Sequence, residues 1–330
     1  MAGPPPAVAE LRVAVRRVLA QLRTTPGGLV LAACSGGADS LALAATLAFV
    51  APRIGLRGGL VTVDHGMQPG SAERAAAVAG WAKTQGLDPV EIATVEVGGD
   101  GGPEAAARTA RYRALDEVAA RLGAAAVLLG HTSDDQAETV LLALGRGAGL
   151  RGIAGMPARR RIYLRPLLGV SRTTTREACR ALGLEPWEDP HNADPAYARA
   201  RIRALMPMLE QALGGGLVAN LARTAKLAAA DEAVLGRIAR RVLAGILGED
   251  GSLDATALAG HPTAVRSRVL HRWARTLGCP GSALSARHID ALDALLVAWS
   301  GQGPVHLPGD IRVRRTAGRL VATGPGPTSG

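Results

Sequence analysis

The sequence predicts an α/β fold, in which a parallel sheet carries helices on both faces and a smaller domain of helices and a short sheet follows it. Three observations predict this fold. Short apolar runs alternate with helical segments through residues 1–145, as is typical of strands joined by crossover helices. Polar side chains follow three of the apolar runs directly, where a parallel sheet binds ligands. Three short alternating runs, at residues 305–307, 311–314 and 319–322, predict the small antiparallel sheet.

The first apolar run, a glycine turn and a helix form the segment on which the functional interpretation depends. Residues 29–34 are apolar and predict a buried strand, and the Ala/Leu-rich residues 41–49 predict a helix. Between them lies Ser-Gly-Gly-Ala-Asp-Ser at residues 35–40, whose glycines permit a sharp turn and close approach to a ligand. We expect serine and aspartate to cap the helix. A strand, a glycine turn and a helix N-terminus together predict an anion site.

The spacing of these glycines excludes two common phosphate-binding motifs. The loop lacks the G-x-G-x-x-G of dinucleotide sites, and no lysine follows it as a P-loop requires. The remaining pattern, Ser-Gly-Gly-x-Asp-Ser after a strand, resembles the pyrophosphate loop of the N-type ATP pyrophosphatases, which cleave ATP to AMP and pyrophosphate. An ordinary glycine-rich turn with a serine cap is the alternative.

The other elements follow in alternation. Ser71 is expected to cap one helix and Ser171 another, while Pro103 occupies a permitted first-turn position. Residues 144–152 are too rich in glycine for a helix and predict a loop. The predicted helices are residues 7–24, 71–85, 103–122, 132–144, 171–182, 208–246 with a break at 214–216, 262–277 and 285–299, and the further strands are 59–63, 90–97 and 124–130.

Two later strand ends also carry polar side chains. Asp64 and His65 follow one strand, and His131, Asp135 and Glu138 follow another. Asp135 and Glu138 share one helix face because they are three residues apart. Mg²⁺ takes one or two carboxylates together with phosphate oxygens, so this pair suits a nucleotide site. For Asp135 and Glu138 the alternative is an acidic first turn that the helix dipole favours. For Asp64 and His65 it is a structural Asp–His pair.

Positive charge is concentrated in one segment. The chain has 38 basic and 28 acidic residues, a net charge of +10. Residues 146–203 hold 12 arginines against 5 acidic residues, which favours contact with a phosphate backbone. There are two alternatives to nucleic-acid contact. The arginines could lie in solvated turns, or they could reflect a general arginine bias of the source.

The composition sets further limits. The apolar fraction of 48% suffices for a core, and no run of about 18 uncharged apolar residues predicts a membrane span. The N-terminus lacks the order of a signal peptide. Cys34, Cys179 and Cys279 form neither a CxxC pair nor a zinc spacing, so we expect a reduced, cytoplasmic setting.

Five stretches together resemble the tRNA(Ile)-lysidine synthetases, over about residues 27–210. The run from Gly130 to Val140, joined to the Arg-Gly loop, is specific for this family. The loop at residues 35–40 is shared with other ATP pyrophosphatases. The five stretches are residues 34–40, 63–68, 111–112, 130–140 continuing to 146–150, and 165–168 taken with 187–192 and 199–203.

The resemblance implies a Rossmann-like PP-loop ATPase domain and a reaction. ATP adenylates the C2 oxygen of the wobble cytidine in the CAU anticodon of an isoleucine tRNA, and the side-chain amine of free L-lysine then attacks C2. The products are lysidine, AMP and pyrophosphate, so that the enzyme is a ligase forming a carbon–nitrogen bond. The tRNA then reads AUA instead of AUG.

The resemblance also implies site residues, in three groups. Asp39 and Asp135 are the candidates for Mg²⁺. The catalytic candidates are Asp39, Arg111, Asp135, Glu138 and Arg203, and the ATP-binding candidates are Ser35, Gly36, Gly37, Ala38, Asp39, Ser40, Asp64 and His131.

The expected organisation is a catalytic domain at residues 1–213, a tRNA-contacting domain at 214–323 and a disordered tail at 324–330. The sequence does not decide whether the chain forms a homodimer. Two other functions also remain compatible with it. A tRNA 2-thiolase of the same superfamily would usually need paired reactive cysteines, and a non-catalytic RNA-binding module would not need Asp39, Asp135 and Glu138 together.

Overall fold

The computed structural model describes residues 3–66, 70–96, 98, 103–189, 194–281 and 283–324. Its contacts divide the chain into two compact units, Met1–Lys226 and Leu227–Gly330. The domain boundary expected between residues 213 and 214 stays a prediction. The tail at residues 324–330 was expected to be disordered, and residues 325–330 of it lie outside the described residues. Parts of the motifs at 63–68 and 187–192 also lie outside them.

The first unit is built on the predicted sheet, with the strand order β3-β2-β1-β4-β6-β5. The four pairs from β3 to β6 are parallel, and only the edge pair of β5 and β6 is antiparallel. The strands β5 and β6 could not be predicted from the sequence, because two-residue strands carry no periodic pattern. The strands are β1 (Leu29–Ala33), β2 (Arg57–Asp64), β3 (Val90–Thr94), β4 (Ala126–Leu129), β5 (Arg159–Arg160) and β6 (Tyr163–Leu164).

Helices cover both faces of this sheet, as predicted. Alternate residues of β1 belong to different apolar cores, since Val30 and Ala32 pack in one cluster while Leu29 and Leu31 pack in another. Burial on both faces is the reason that this strand is a continuous apolar run. The helices that precede the second sheet are α1 (Pro6–Leu19), α2 (Ala38–Arg53), α3 (Ser71–Thr84), α4 (Pro103–Arg121), α5 (Ser133–Gly145), α6 (Gly149–Ile153), α7 (Arg172–Ala181), α8 (Ala198–Leu213) and α9 (Leu217–Ile246).

Several helix termini differ from the prediction. The residue before α3 is Gly70 at φ +76°, so Ser71 is the first helical residue and caps nothing. The glycine-rich residues 144–152, expected to form a loop, contain the start of the short helix α6. Ser171 does cap α7, accepting a hydrogen bond from the Thr174 N–H at 3.0 Å.

The second unit contains the small antiparallel sheet, with the order β7-β10-β9-β8. Trp273 is fully buried in its core and donates its indole N–H to the Gly251 carbonyl at 2.8 Å. No helix in the described part of the chain is long and apolar enough to cross a membrane. Its elements are β7 (Leu253–Asp254), α10 (Ala255–Ala259), α11 (Thr263–Thr276), α12 (Ala286–Val297), β8 (Val305–Leu307), β9 (Ile311–Thr316) and β10 (Arg319–Thr323).

Candidate active site

The strand order brings the three predicted polar segments to one edge of the sheet. β2, β1 and β4 are adjacent and parallel, so their carboxyl ends lie side by side. The loop at residues 35–40 follows β1, His65 follows β2, and His131 follows β4. This is the edge at which open parallel sheets bind ligands.

The glycine loop turns into α2 through a residue that must be glycine. Gly36 has φ +86°, and a Cβ added to it would lie 3.2 Å from Cγ2 of Val78. The Gly36 carbonyl accepts a hydrogen bond from the Trp187 N–H at 3.0 Å. A segment distant in sequence therefore holds the loop in place.

The first turn of α2 is not capped by a side chain, contrary to the expectation from serine and aspartate. Gly37 is the N-cap and supplies no side chain. Ser40 turns back instead, donating its hydroxyl to the Gly37 carbonyl at 2.9 Å and accepting from the Ser35 N–H at 3.2 Å. Uncapped N–H groups and the positive end of the helix dipole suit an anion.

The end of β4 approaches the start of α2 closely. A Cβ on Gly130 would lie 3.0 Å from the Asp39 carbonyl oxygen and 3.1 Å from the Ser40 nitrogen. Only glycine allows this approach without displacement of the helix start. The residue that follows β4 and the start of α2 are therefore held in direct contact.

Three predicted carboxylates, Asp39, Asp135 and Glu138, come together around one guanidinium and are called here the carboxylate cluster. Nη2 of Arg172 lies 3.0 Å from Oδ1 of Asp135 and 3.0 Å from Oε1 of Glu138. Nε of Arg172 lies 3.9 Å from Oδ2 of Asp39. The predicted Arg203 joins them, with Nε 2.9 Å from Oε1 of Glu138.

Asp135 is held rigidly by the start of its own helix. Thr132 is the N-cap of α5, and its N–H donates to Oδ2 of Asp135 at 2.7 Å in a reciprocal capping box. Burial acts to raise the pKa of Asp135, but the charge of Arg172 and the Thr132 N–H outweigh it and the pKa lies below its ordinary value. Asp135 is therefore ionised at neutral pH.

The pKa of Asp39 is shifted in the opposite direction to that of Asp135. Burial raises the pKa of its carboxyl group, the Thr175 hydroxyl that donates to Oδ1 opposes the rise, and the charge of Asp135 adds to it. Two neighbouring carboxylates thus differ in proton affinity, which is typical of sites that carry out acid–base chemistry.

Arg172 and Thr175 belong to the site but were not among the residues predicted from the sequence. Arg172 is the first residue of α7, where a cation opposes the helix dipole. A basic residue directly after the Ser171 cap was the available signal, because such a residue needs a compensating partner. Thr175 is fully buried and gives no comparable signal.

The other predicted residues lie along the same edge. Nε of Arg111 is 3.3 Å from Nε2 of His65, so these two contact each other. Oδ1 of Asp64 accepts from the Gly66 N–H at 3.0 Å, which is the local turn expected of a structural role. Burial lowers the pKa of His131 to about 4, so its ring is neutral at neutral pH.

The carboxylate oxygens of the cluster suit Mg²⁺ only if phosphate oxygens supply further ligands. In the described part of the chain, no group of three or more His, Cys, Asp or Glu side chains forms a metal cage. Asp39 and Asp135 offer carboxylate oxygens on neighbouring elements, and Mg²⁺ bound with phosphates needs one or two carboxylates. The two residues fit such a shared site.

Comparison with known families agrees with this geometry. A model of the PP-loop domain matches residues 11–209, and a model of the TilS substrate binding domain matches residues 253–321. The chain is 63% identical to a tRNA(Ile)-lysidine synthase from Salinispora tropica, covering 99% of each chain. It is 55% identical to a protein of the same name from Thermobifida fusca, covering 98% of this chain and 99% of that one.

A solved structure supports the fold. The U34-tRNA thiolase NcsA from Methanococcus maripaludis, determined with its [4Fe-4S] cluster, superposes with a TM-score of 0.56 at 18% identity. The match covers 67% of this chain and 78% of that one. At this identity the likeness concerns the architecture alone.

Proposed function

Because the chain belongs to the tRNA(Ile)-lysidine synthase family, we propose that it joins free L-lysine to the wobble cytidine of the CAU-anticodon isoleucine tRNA at the expense of ATP. The observation that carries this proposal is the carboxylate cluster next to an uncapped glycine loop. The loop suits the triphosphate, and the carboxylates suit the amine that follows.

In the first step the C2 oxygen of the cytidine attacks the α-phosphate of ATP. A C–O–P linkage forms, the bond between the α- and β-phosphates breaks, and pyrophosphate leaves. The N–H groups at the start of α2, which no side chain caps, are proposed to stabilise the charge on pyrophosphate. Asp39 and Asp135 would hold Mg²⁺, which when bound neutralises the phosphate charge. Arg111 and Arg203 are proposed to stabilise the phosphates or the activated cytidine.

In the second step the lysine side chain attacks C2 and AMP leaves. Asp135 and Glu138 are proposed to bind the ammonium group, because both are negative and Glu138 is only 2% exposed. The attacking nitrogen must first lose a proton. Asp39 is the proposed acceptor when it is not bound to Mg²⁺, since burial and the charge of Asp135 raise the pKa of its carboxyl group.

The glycine loop gives a direct prediction. Gly36→Ala forces an L-residue into a left-handed conformation, at a cost of about 1–2 kcal/mol, and brings a methyl group against Val78. We expect ATP affinity to fall at least about tenfold in an equilibrium binding assay. Gly27→Ala is the matched control, because Gly27 has φ +75° with open space around it and precedes β1. Equal losses in both variants would show that backbone strain alone is responsible.

The deciding experiment is incorporation of radiolabelled lysine into unmodified CAU-anticodon tRNA. We expect incorporation and pyrophosphate release that depend on ATP, tRNA and lysine together. A sulfur-dependent tRNA product would support a 2-thiolase, and tRNA binding without pyrophosphate release would support a non-catalytic RNA-binding module. Either result would overturn the proposal.

The basic segment at residues 146–203 and the domain after residue 213 are proposed to contact the tRNA, in a cytoplasmic setting. If so, raising the salt concentration should weaken tRNA binding steeply, because bound cations are released from the phosphate backbone.

A further inference from the structure

A second polar group lies at the same sheet edge and, apart from the ATP-binding candidate His131, takes no part in the proposed chemistry. It consists of Arg108, Tyr112, His131 and Arg165, called here the Tyr112 cluster. Nη2 of Arg108 and Nη2 of Arg165 each donate to the Tyr112 hydroxyl at 3.3 Å. Two guanidinium groups thus converge on one hydroxyl oxygen.

The cluster contains polar atoms that lack partners although they are buried. Arg165 is only 4% exposed, and its Nε has no hydrogen-bond partner. Nδ1 of His131 is also buried without a partner. Buried polar groups are nearly always satisfied, so such atoms indicate a missing ligand or water.

The buried Arg165 has no acidic partner: among the side chains that the structure describes, no carboxylate forms an ion pair with it. Burial lowers the pKa of His131 to about 4; the charge of Asp135 opposes this and the charges of Arg165 and Arg108 add to it, so the histidine adds no positive charge that would repel these arginines. A buried arginine without a counter-ion is costly, and an anionic ligand would remove that cost.

We propose that the Tyr112 cluster binds a backbone phosphate of the tRNA anticodon loop next to the nucleotide being modified. The inference rests on the proposed function, which supplies the polyanion. Guanidinium groups match phosphate oxygens in geometry and charge. The rings of Tyr112 and Tyr163 meet edge to face with centroids 4.9 Å apart, which fixes the hydroxyl that both arginines contact.

Topology separates this phosphate from those of ATP. Arg165 follows β6, which lies on the far side of β4 from β1 and the glycine loop. The triphosphate is proposed to bind at the start of α2, which follows β1, so that β4 lies between this site and Arg165. The Tyr112 cluster therefore holds the nucleic acid while the glycine loop holds the nucleotide.

The test uses the full chain and unmodified CAU-anticodon tRNA in filter-binding titrations at several salt concentrations. Arg108→Gln removes one exposed cation, and we expect its dissociation constant for tRNA to rise about tenfold and the salt slope to fall by about 1. Tyr112→Phe keeps the packed ring and removes the shared hydroxyl, and we expect a severalfold rise. Both variants should bind ATP as tightly as the wild type does.

Arg113→Gln is the matched control, because Arg113 is exposed on the same helix and pairs with Glu117 at 3.9 Å. We expect it to change tRNA affinity less than twofold. An unchanged salt slope in Arg108→Gln, or an affinity equal to that of Arg113→Gln, would overturn the inference, and weakened ATP binding would reassign the cluster to the nucleotide. Lysine incorporation by the wild type tests the proposed function separately.

Discussion

Asp135→Asn is expected to reduce lysidine formation by about 10³-fold, in line with the removal of a group that stabilises transition-state charge. Asparagine keeps the acceptor oxygen for the Thr132 N–H, so the capping box and the helix start should survive. Only the negative charge facing Arg172 is lost. The measurement is single-turnover lysine incorporation, with tRNA affinity measured in parallel and expected to be unchanged.

Asp39→Asn should give a loss of similar size, because its carboxylate is the proposed proton acceptor and metal ligand. The control is Asp134→Asn, on the same helix as Asp135. Oδ2 of Asp134 accepts from the Arg172 backbone N–H at 2.8 Å, and asparagine can still accept there. We expect a loss below about tenfold in this variant. If all three variants lost activity equally, general loss of negative charge would explain the effect and the assigned roles would be wrong.

Glu138→Gln is expected to destabilise the fold by about 3 kcal/mol, as does breaking a buried ion pair from one side. Glu138 is 2% exposed and accepts from Arg172 at 3.0 Å and from Arg203 at 2.9 Å. The amide removes the carboxylate that contacts both guanidinium groups, so Asp135 alone remains within 4 Å of both. Together, Asp135 and Glu138 raise the pKa of Arg172 against the opposing effect of burial, which agrees with a tightly paired cation. Urea-induced unfolding measures the change.

A double-mutant cycle separates pairing from packing. Arg203→Gln alone should cost less than Glu138→Gln, because Arg203 is 35% exposed. In the double variant one of the unpaired cations is absent, so the total loss should be smaller than the sum of the two single losses. Additive losses would mean that Glu138 and Arg203 do not interact energetically.

Part of the candidate site could be predicted from sequence because its signals are local. The glycine loop is a contiguous pattern between a strand and a helix. Asp135 and Glu138 share a face through helix geometry alone, and both do contact Arg172. The predicted serine and aspartate caps of α2 were wrong, because Ser40 hydrogen-bonds backward to the loop itself.

The partners of these residues could not be predicted in the same way. Arg172 lies 34 residues beyond Glu138, and Thr175 lies 136 residues beyond Asp39. The Tyr112 hydroxyl and Arg165 are 53 residues apart. No local pattern encodes such pairs, since they depend on which strands are neighbours.

The sequence by itself determined the parallel sheet, the phosphate loop and the family, because apolar periodicity and contiguous motifs act over a few residues. Only the tertiary structure decided which charges face each other. The strand order joins α2, α5, α7 and α8 around three carboxylates, and it leaves Arg165 beside Tyr112 without an acidic partner among the described side chains. The physical reason is that ion pairing depends on distance in space, which chain connectivity does not fix.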